Sequence, residues 1–133
     1  MKQISIKTTH RAEFQNITRH VQSFVAESAM KDGVVLIYVP HTTAGVTINE
    51  NADPDVVHDI LMGLDKLVPW NDPDYRHGEG NSAAHIKASM MGSSATVLVR
   101  DGQLVLGTWQ GIFFCEFDGP RSRQLLLELS PRA

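Results

Sequence analysis

Three of the six histidines in this chain, His41, His77 and His85, stand among other groups able to do chemistry. The first lies in His41-Thr42-Thr43-Ala44-Gly45, shortly before Asn49-Glu50-Asn51-Ala52-Asp53. Imidazole titrates near neutrality, so it can move a proton or bind a metal. Glu50 and Asp53 have the chemistry of general bases or metal ligands. Asp53, standing before Pro54, also has that of a helix cap. The second segment is His77-Gly78-Glu79-Gly80-Asn81, followed by His85. Gly78 and Gly80 let the backbone around Glu79 fold tightly and turn its amides inward. A helix starting near Asn81 adds unpaired N–H groups, a place for an anion such as phosphate. Asn81 and His85 then share one helix face. Three imidazoles with Glu79 or Glu50 suit zinc or a similar divalent ion, although no compact H-E-x-x-H spacing joins them. Arg121 and Arg123 follow the turn Asp118-Gly119-Pro120. Their guanidinium forks match phosphate or carboxylate, and the pair reads also as surface arginines after a turn, solvated or in an ion pair.

The remaining reactive types read as structural. His58 falls on the polar face of a helix, and His10 and His20 lie near surface turns. Cys115, among Phe113, Phe114 and Phe117, reads as a small buried residue rather than a nucleophile. Trp109 reads as a strand-end core aromatic. No nucleophile elbow, P-loop, dinucleotide fingerprint or CxxC pair is present.

The elements that must hold these groups follow from periodicity. Residues 2–7 alternate polar and apolar, as a half-buried strand does. A helix is expected from Thr18, the capping candidate, to about Met30, with Gly33 in its C-terminal turn. The continuous apolar run 34–39 reads as a buried strand ended by Pro40, and residues 46–48 as the next. Asp53-Pro54 starts a helix whose stripe is Val56, Val57, Ile60, Leu61, Leu64 and Leu67. A polar, turn-rich stretch from Pro69 to Gly80 precedes a helix over 81–91, with Ala83, Ile86 and Met90 on its apolar face. Strands over 95–99 and 103–108 flank the hairpin turn Asp101-Gly102. Strands over 112–117 and 124–129 complete an α+β order.

The chain has 133 residues with 42% hydrophobic and 20% charged, the composition of one folded domain spanning 1–133. Twelve basic against 15 acidic residues, a net charge of −3, argue against nucleic acid as a partner. The longest apolar run is far shorter than the ~20 residues of a membrane helix. No basic start followed by an apolar stretch marks a secretory signal, and one cysteine fits a reducing cytoplasm.

Taken together, the segments 41–45 with 49–54, 77–81 with 84–85, 107–111 and 116–121 strongly resemble the YjbQ family, also labelled the secondary thiamine-phosphate synthase enzyme family. The resemblance spans nearly the whole chain. It implies an α+β fold with a β-sandwich-like mixed sheet core, about three helices and homotrimer assembly. It further implies one polar cleft near a subunit boundary, taking a small phosphorylated metabolite. There His41 and His85 would hold a divalent metal, zinc or magnesium. Glu50, Asp53, His77, Asn81 and Arg121 would be catalytic, and Gly78, Glu79 and Gly80 would bind the ligand. The implied reaction joins a pyrimidine diphosphate to a thiazole phosphate and releases pyrophosphate. Such a reaction needs charge stabilisation more than a nucleophile. One departure is visible: Gly45-Val46 stands where many members have Ala-Leu.

Overall fold

The computed structural model describes residues 1–133 as eight strands and three helices. In chain order they are β1 (Lys2–Lys7), β2 (Glu13–Asn16), α1 (Thr18–Glu27), β3 (Gly33–Tyr38), β4 (Ala44–Glu50), α2 (Pro54–Leu67), α3 (Ser82–Met91), β5 (Ser94–Arg100), β6 (Gln103–Leu104), β7 (Gln110–Glu116) and β8 (Ser122–Pro131). Five strands form one sheet, in the order β1-β8-β3-β5-β6, and three form another, β2-β7-β4. Every pairing is antiparallel. No helix is long and apolar enough to cross a membrane.

Alternation decides what faces inward. Val35 and Ile37 of β3, Val97 and Val99 of β5, and Leu125 and Leu127 of β8 meet Val46 of β4 and Ile112 and Phe114 of β7. Val21 and Val25 of α1 join the same cluster. The two sheets thus bury one layer between them, the sandwich-like α+β core. The other face of β7 carries Phe113 and Cys115, which pack with Phe117, with Leu64 of α2 and with Ala84 and Ala88 of α3. β7 is consequently buried on both faces, and its thiol with it.

Several local expectations change. The run read as a fully buried strand exposes Leu36 and Tyr38, because an antiparallel sheet needs only one covered face. α1 ends at Glu27 rather than Met30, and Ala29 takes the left-handed conformation (φ 60°). Thr18 does not cap it; its hydroxyl instead bonds Asn16 and accepts the Ile112 amide at 2.9 Å. Gly33 belongs to β3, where a Cβ would lie 2.3 Å from the Ser130 carbonyl. Asp53 does cap α2, accepting the Asp55 amide at 2.9 Å. On α3, Ala83 is buried as expected, but Ile86 and Met90 face outward. The helix turns Ala84, Lys87 and Ala88 inward instead, because small side chains let it lie close to the sheet. Trp109 is 62% exposed, so it is no core residue. β2, four residues without clear alternation, carried no periodic signal and became visible only through its pairing with β7.

Close packing of α3 on β4 sets the geometry that follows. A Cβ on Gly45 would lie 2.6 Å from the Gly92 carbonyl, so only glycine lets β4 meet the end of α3. The Val46 amide donates to that carbonyl at 3.0 Å, and Val39 donates to Ser93 at 2.7 Å. These bonds tie the loop 40–43 to the start of β5, with α3 alongside.

Candidate functional site

One cleft of about 740 Å³ opens where the β3–β4 loop, the start of α3 and the β7–β8 turn converge. His41, His77, Glu79, Asn81, His85 and Arg121 all line it, residues 80 positions apart in the chain. Gly78 and Gly80 lie in the same exposed loop as Glu79. Glu50 and Asp53, by contrast, do not line it. His41 precedes β4, whereas Glu50 ends it, and seven extended residues carry Glu50 roughly 20 Å away. Glu50 there pairs with Gln110, beside the segment Gly107 to Gly111, and Asp53 caps α2. His10, His20 and His58 are exposed, as their spacing suggested.

Beneath the cleft lies a buried ion pair that spacing did not reveal. The side chains of Arg123 and Glu116 are 6% and 0% exposed. Arg123 Nε donates to Glu116 Oε1 at 2.8 Å, and its terminal nitrogen reaches Oε2. That same nitrogen donates to Thr43 Oγ1 at 2.8 Å, binding the β3–β4 loop to β8. Glu116 further accepts the Thr8 hydroxyl at 2.7 Å and the amides of Phe117 and Asp118, each at 3.0 Å. Arg123 is therefore no surface arginine. Only a salt bridge with its remaining donors and acceptors satisfied is tolerated at this depth. Burial alone would raise the Glu116 pKa, but the bonds from Arg123, Asp118 and Thr8 outweigh it and hold the carboxyl below the ordinary range.

Asp118 organises the next layer. Its Oδ2 accepts Asn81 Nδ2 at 2.9 Å and Arg121 at 2.9 Å, while Arg121 Nε donates to the Asp118 carbonyl at 2.8 Å. Against the opposing effect of burial, Asn81 and Arg121 keep the Asp118 carboxyl below its usual range. Two of the five guanidinium N–H groups of Arg121 are thus held by Asp118, and three remain for a ligand. Asn81, at the N-cap of α3, makes no side-chain cap bond, and its Oδ1 is the one buried side-chain polar atom without a partner. α3 has no acidic residue in its first turn, so the carboxylate bonded at its N-terminal end is that of Asp118, through Asn81.

The three imidazoles differ in posture. His77 and His85 meet edge to face, ring centroids 5.3 Å apart. His41 Nε2 accepts the Gln124 amide at 2.9 Å. Burial lowers its pKa first and the Arg123 charge second, with Glu116 offsetting part of that. No three His, Cys, Asp or Glu side chains of one chain are placed to hold an ion. With His41 Nε2 already engaged, the donor set of a single chain does not fit the metal that the resemblance implies. Cys115 is equally unsuited to chemistry, since burial pushes its thiol pKa far up.

These shifts fix the direction of pH dependence. The folded pKa of Glu116, Asp118 and His41 lies below the unfolded value in each case. Each stabilising contribution is therefore present above the unfolded pKa and lost as pH falls through the folded one. Unfolding by urea should show stability declining below about pH 6.5, the unfolded histidine value, and more steeply below about 4, as the carboxyls protonate. A protein that grew more stable on acidification would contradict the assigned pairs.

An α+β sandwich with a histidine- and arginine-lined cleft beside a helix N-terminus is the class these observations define. Within that class the chain belongs to the YjbQ family: residues 2–132 match the family described as "UPF0047 protein YjbQ-like". It is 54% identical to the UPF0047 protein YugU of Bacillus subtilis, over 97% of this chain and 98% of that one. It is 56% identical to a UPF0047 protein of Methanocaldococcus jannaschii, over 93% and 89% of the two chains. A crystal structure of a YjbQ/UPF0047 protein from Clostridium acetobutylicum superposes with a TM-score of 0.96 at 53% identity, covering 98% of this chain and 100% of that one. A conserved protein from Thermus thermophilus gives 0.91 at 41% identity, covering 98% and 100%.

Proposed function

We propose that this protein is a small cytoplasmic enzyme acting on phosphorylated metabolites, with chemistry of the thiamine-phosphate-synthase type. A pyrimidine diphosphate would join a thiazole phosphate at this cleft, with release of pyrophosphate. The observation that carries the reading is the convergence of His41, His77, His85 and Arg121 beside the N-terminus of α3. Loss of pyrophosphate leaves an electron-poor pyrimidine and a departing polyanion. Both are helped by oriented N–H donors in a partly enclosed site. Arg121 offers three such donors. His77 and His85 are the groups available to move protons.

Homotrimer assembly is part of the same proposal. The outer face of the larger sheet exposes Leu36, Tyr38 and Leu98, and Tyr38 also lines the cleft. A second copy seated on that apolar face would border the site.

A binding protein without turnover is the second reading, and charge balance favours it. Arg121 is paired with Asp118 and Arg123 with Glu116, which leaves Glu79 as the only lining carboxylate outside an arginine hydrogen bond. With Glu50 and Asp53 elsewhere, little general-base capacity is left. The purified protein, given both phosphorylated precursors with magnesium, should form thiamine phosphate and sediment at three times 14.7 kDa. His41→Ala and His85→Ala should abolish most of the turnover. Unchanged turnover in both variants would overturn the site; tight binding of the precursors without turnover would select the second reading.

A further inference from the structure

His41 offers more than a place in the cleft wall, because the structure determines which of its nitrogens carries the proton. The Gln124 main-chain amide stands 2.9 Å from Nε2. A main-chain N–H can only donate, so Nε2 must present its lone pair. In a neutral imidazole the proton then belongs to Nδ1. Protonating Nε2 would oppose two N–H groups head to head. Gln124 cannot easily withdraw, since β8 is held between β1 and β3. The charges around the ring act the same way. Arg123 stands beneath it, fully buried and positive, with Glu116 compensating only in part. On the cleft side it shares the wall with His77, His85, Glu79, Asp118 and Arg121. Nδ1 has no hydrogen-bond partner in the protein.

We propose that His41 serves this cleft as a fixed neutral imidazole, giving an Nδ1–H hydrogen bond to an anionic oxygen of the ligand, and is neither a metal ligand nor a proton shuttle. The inference rests on the reading of the cleft as a phosphoryl site for the identity of that oxygen. The tautomer itself does not depend on that reading. A neutral imidazole is too weak an acid to surrender its proton. Its contribution is a preset dipole aimed where negative charge gathers, which costs no reorganisation when that charge develops. Gln124 and Arg123 are then positioning residues, acting through the ring. Proton movement falls to His77 and His85, whose rings meet edge to face in the same cleft.

Long-range 1H–15N correlation spectra of the full-length protein, labelled with 15N-histidine, test this directly. His41→Phe identifies the resonances by their disappearance. At neutral pH the ligand-free protein should show an unprotonated Nε2 and a protonated Nδ1 for His41. Pyrophosphate should shift the Nδ1–H signal without removing it, and zinc alone should leave both nitrogens unchanged. His41→Phe, which keeps an aromatic ring but removes both the Nδ1–H donor and the Nε2 acceptor, should weaken pyrophosphate binding about tenfold by calorimetry. An imidazolium, an Nε2–H tautomer, or loss of the Nδ1 proton on adding zinc would each overturn the assignment. The expected tautomer with no calorimetric binding of pyrophosphate would instead overturn the phosphoryl reading of the cleft and uphold the tautomer.

Discussion

Replacing Arg123 by methionine is expected to lower folding stability at pH 7 by about 3–5 kcal/mol, the loss typical of an orphaned buried charge. The substitution keeps most of the side-chain volume, so the effect is electrostatic. Glu116, with its side chain 0% exposed, would keep only the Thr8 hydroxyl and two amides to hold a full negative charge. Against a total stability of about 5–15 kcal/mol, that is a large fraction. Two corollaries separate this cause from a packing defect. Adding Glu116→Gln should recover stability, because the stranded charge is gone. The loss in the single variant should also shrink as pH falls, since an unpaired Glu116 can take up a proton. Urea unfolding of wild type, single and double variants at several pH values provides the comparison. A single-variant loss below about 1 kcal/mol would mean that the pair is not the anchor described.

Arg121→Ala should act in the opposite way, on binding and hardly on folding. Its side chain is 50% exposed, so its pair with Asp118 contributes at most about 1 kcal/mol to stability. It lines the cleft, however, with three donors left unengaged. Hydrogen bonds to a charged ligand are worth about 1.5–3 kcal/mol, which converts to roughly a 10–100-fold loss of pyrophosphate affinity. Arg121→Lys should restore little, because an ammonium cannot hold Asp118 and a phosphoryl oxygen with one planar fork. Calorimetry with pyrophosphate checks both variants. Affinity within twofold of wild type for Arg121→Ala would remove this residue from the site.

Much of this architecture was legible in the chain itself. The Asp53-Pro54 cap, the alternation over 2–7 and the strand over 124–129 are local signals, written within a few residues. The cleft was legible for a related reason. His41, His77, His85 and Arg121 are polar groups at the ends of elements, where folding alone has little use for them. The misreadings share a cause as well. Arg123 beside Arg121 looks like surface, since no local pattern shows that Glu116, seven positions back at the end of a strand in the other sheet, has its carboxylate inside. Ile86 and Met90 look like the apolar face of α3 until the sheet asks for alanines at close approach.

The division is physical. Sequence alone determined most of the strands and helices, which family the chain resembles, and which side chains have reactive chemistry, because propensity, capping and periodicity act over one or two turns. Only the tertiary structure decided that Glu50 and Asp53 sit at the far end of β4 from the cleft. It also decided that the arginine beneath the site is a buried anchor and that the Gln124 amide stands at Nε2 of His41. Charge, tautomer and access depend on which distant groups are brought within hydrogen-bond distance and how far water is excluded, and both are set by packing across the whole chain.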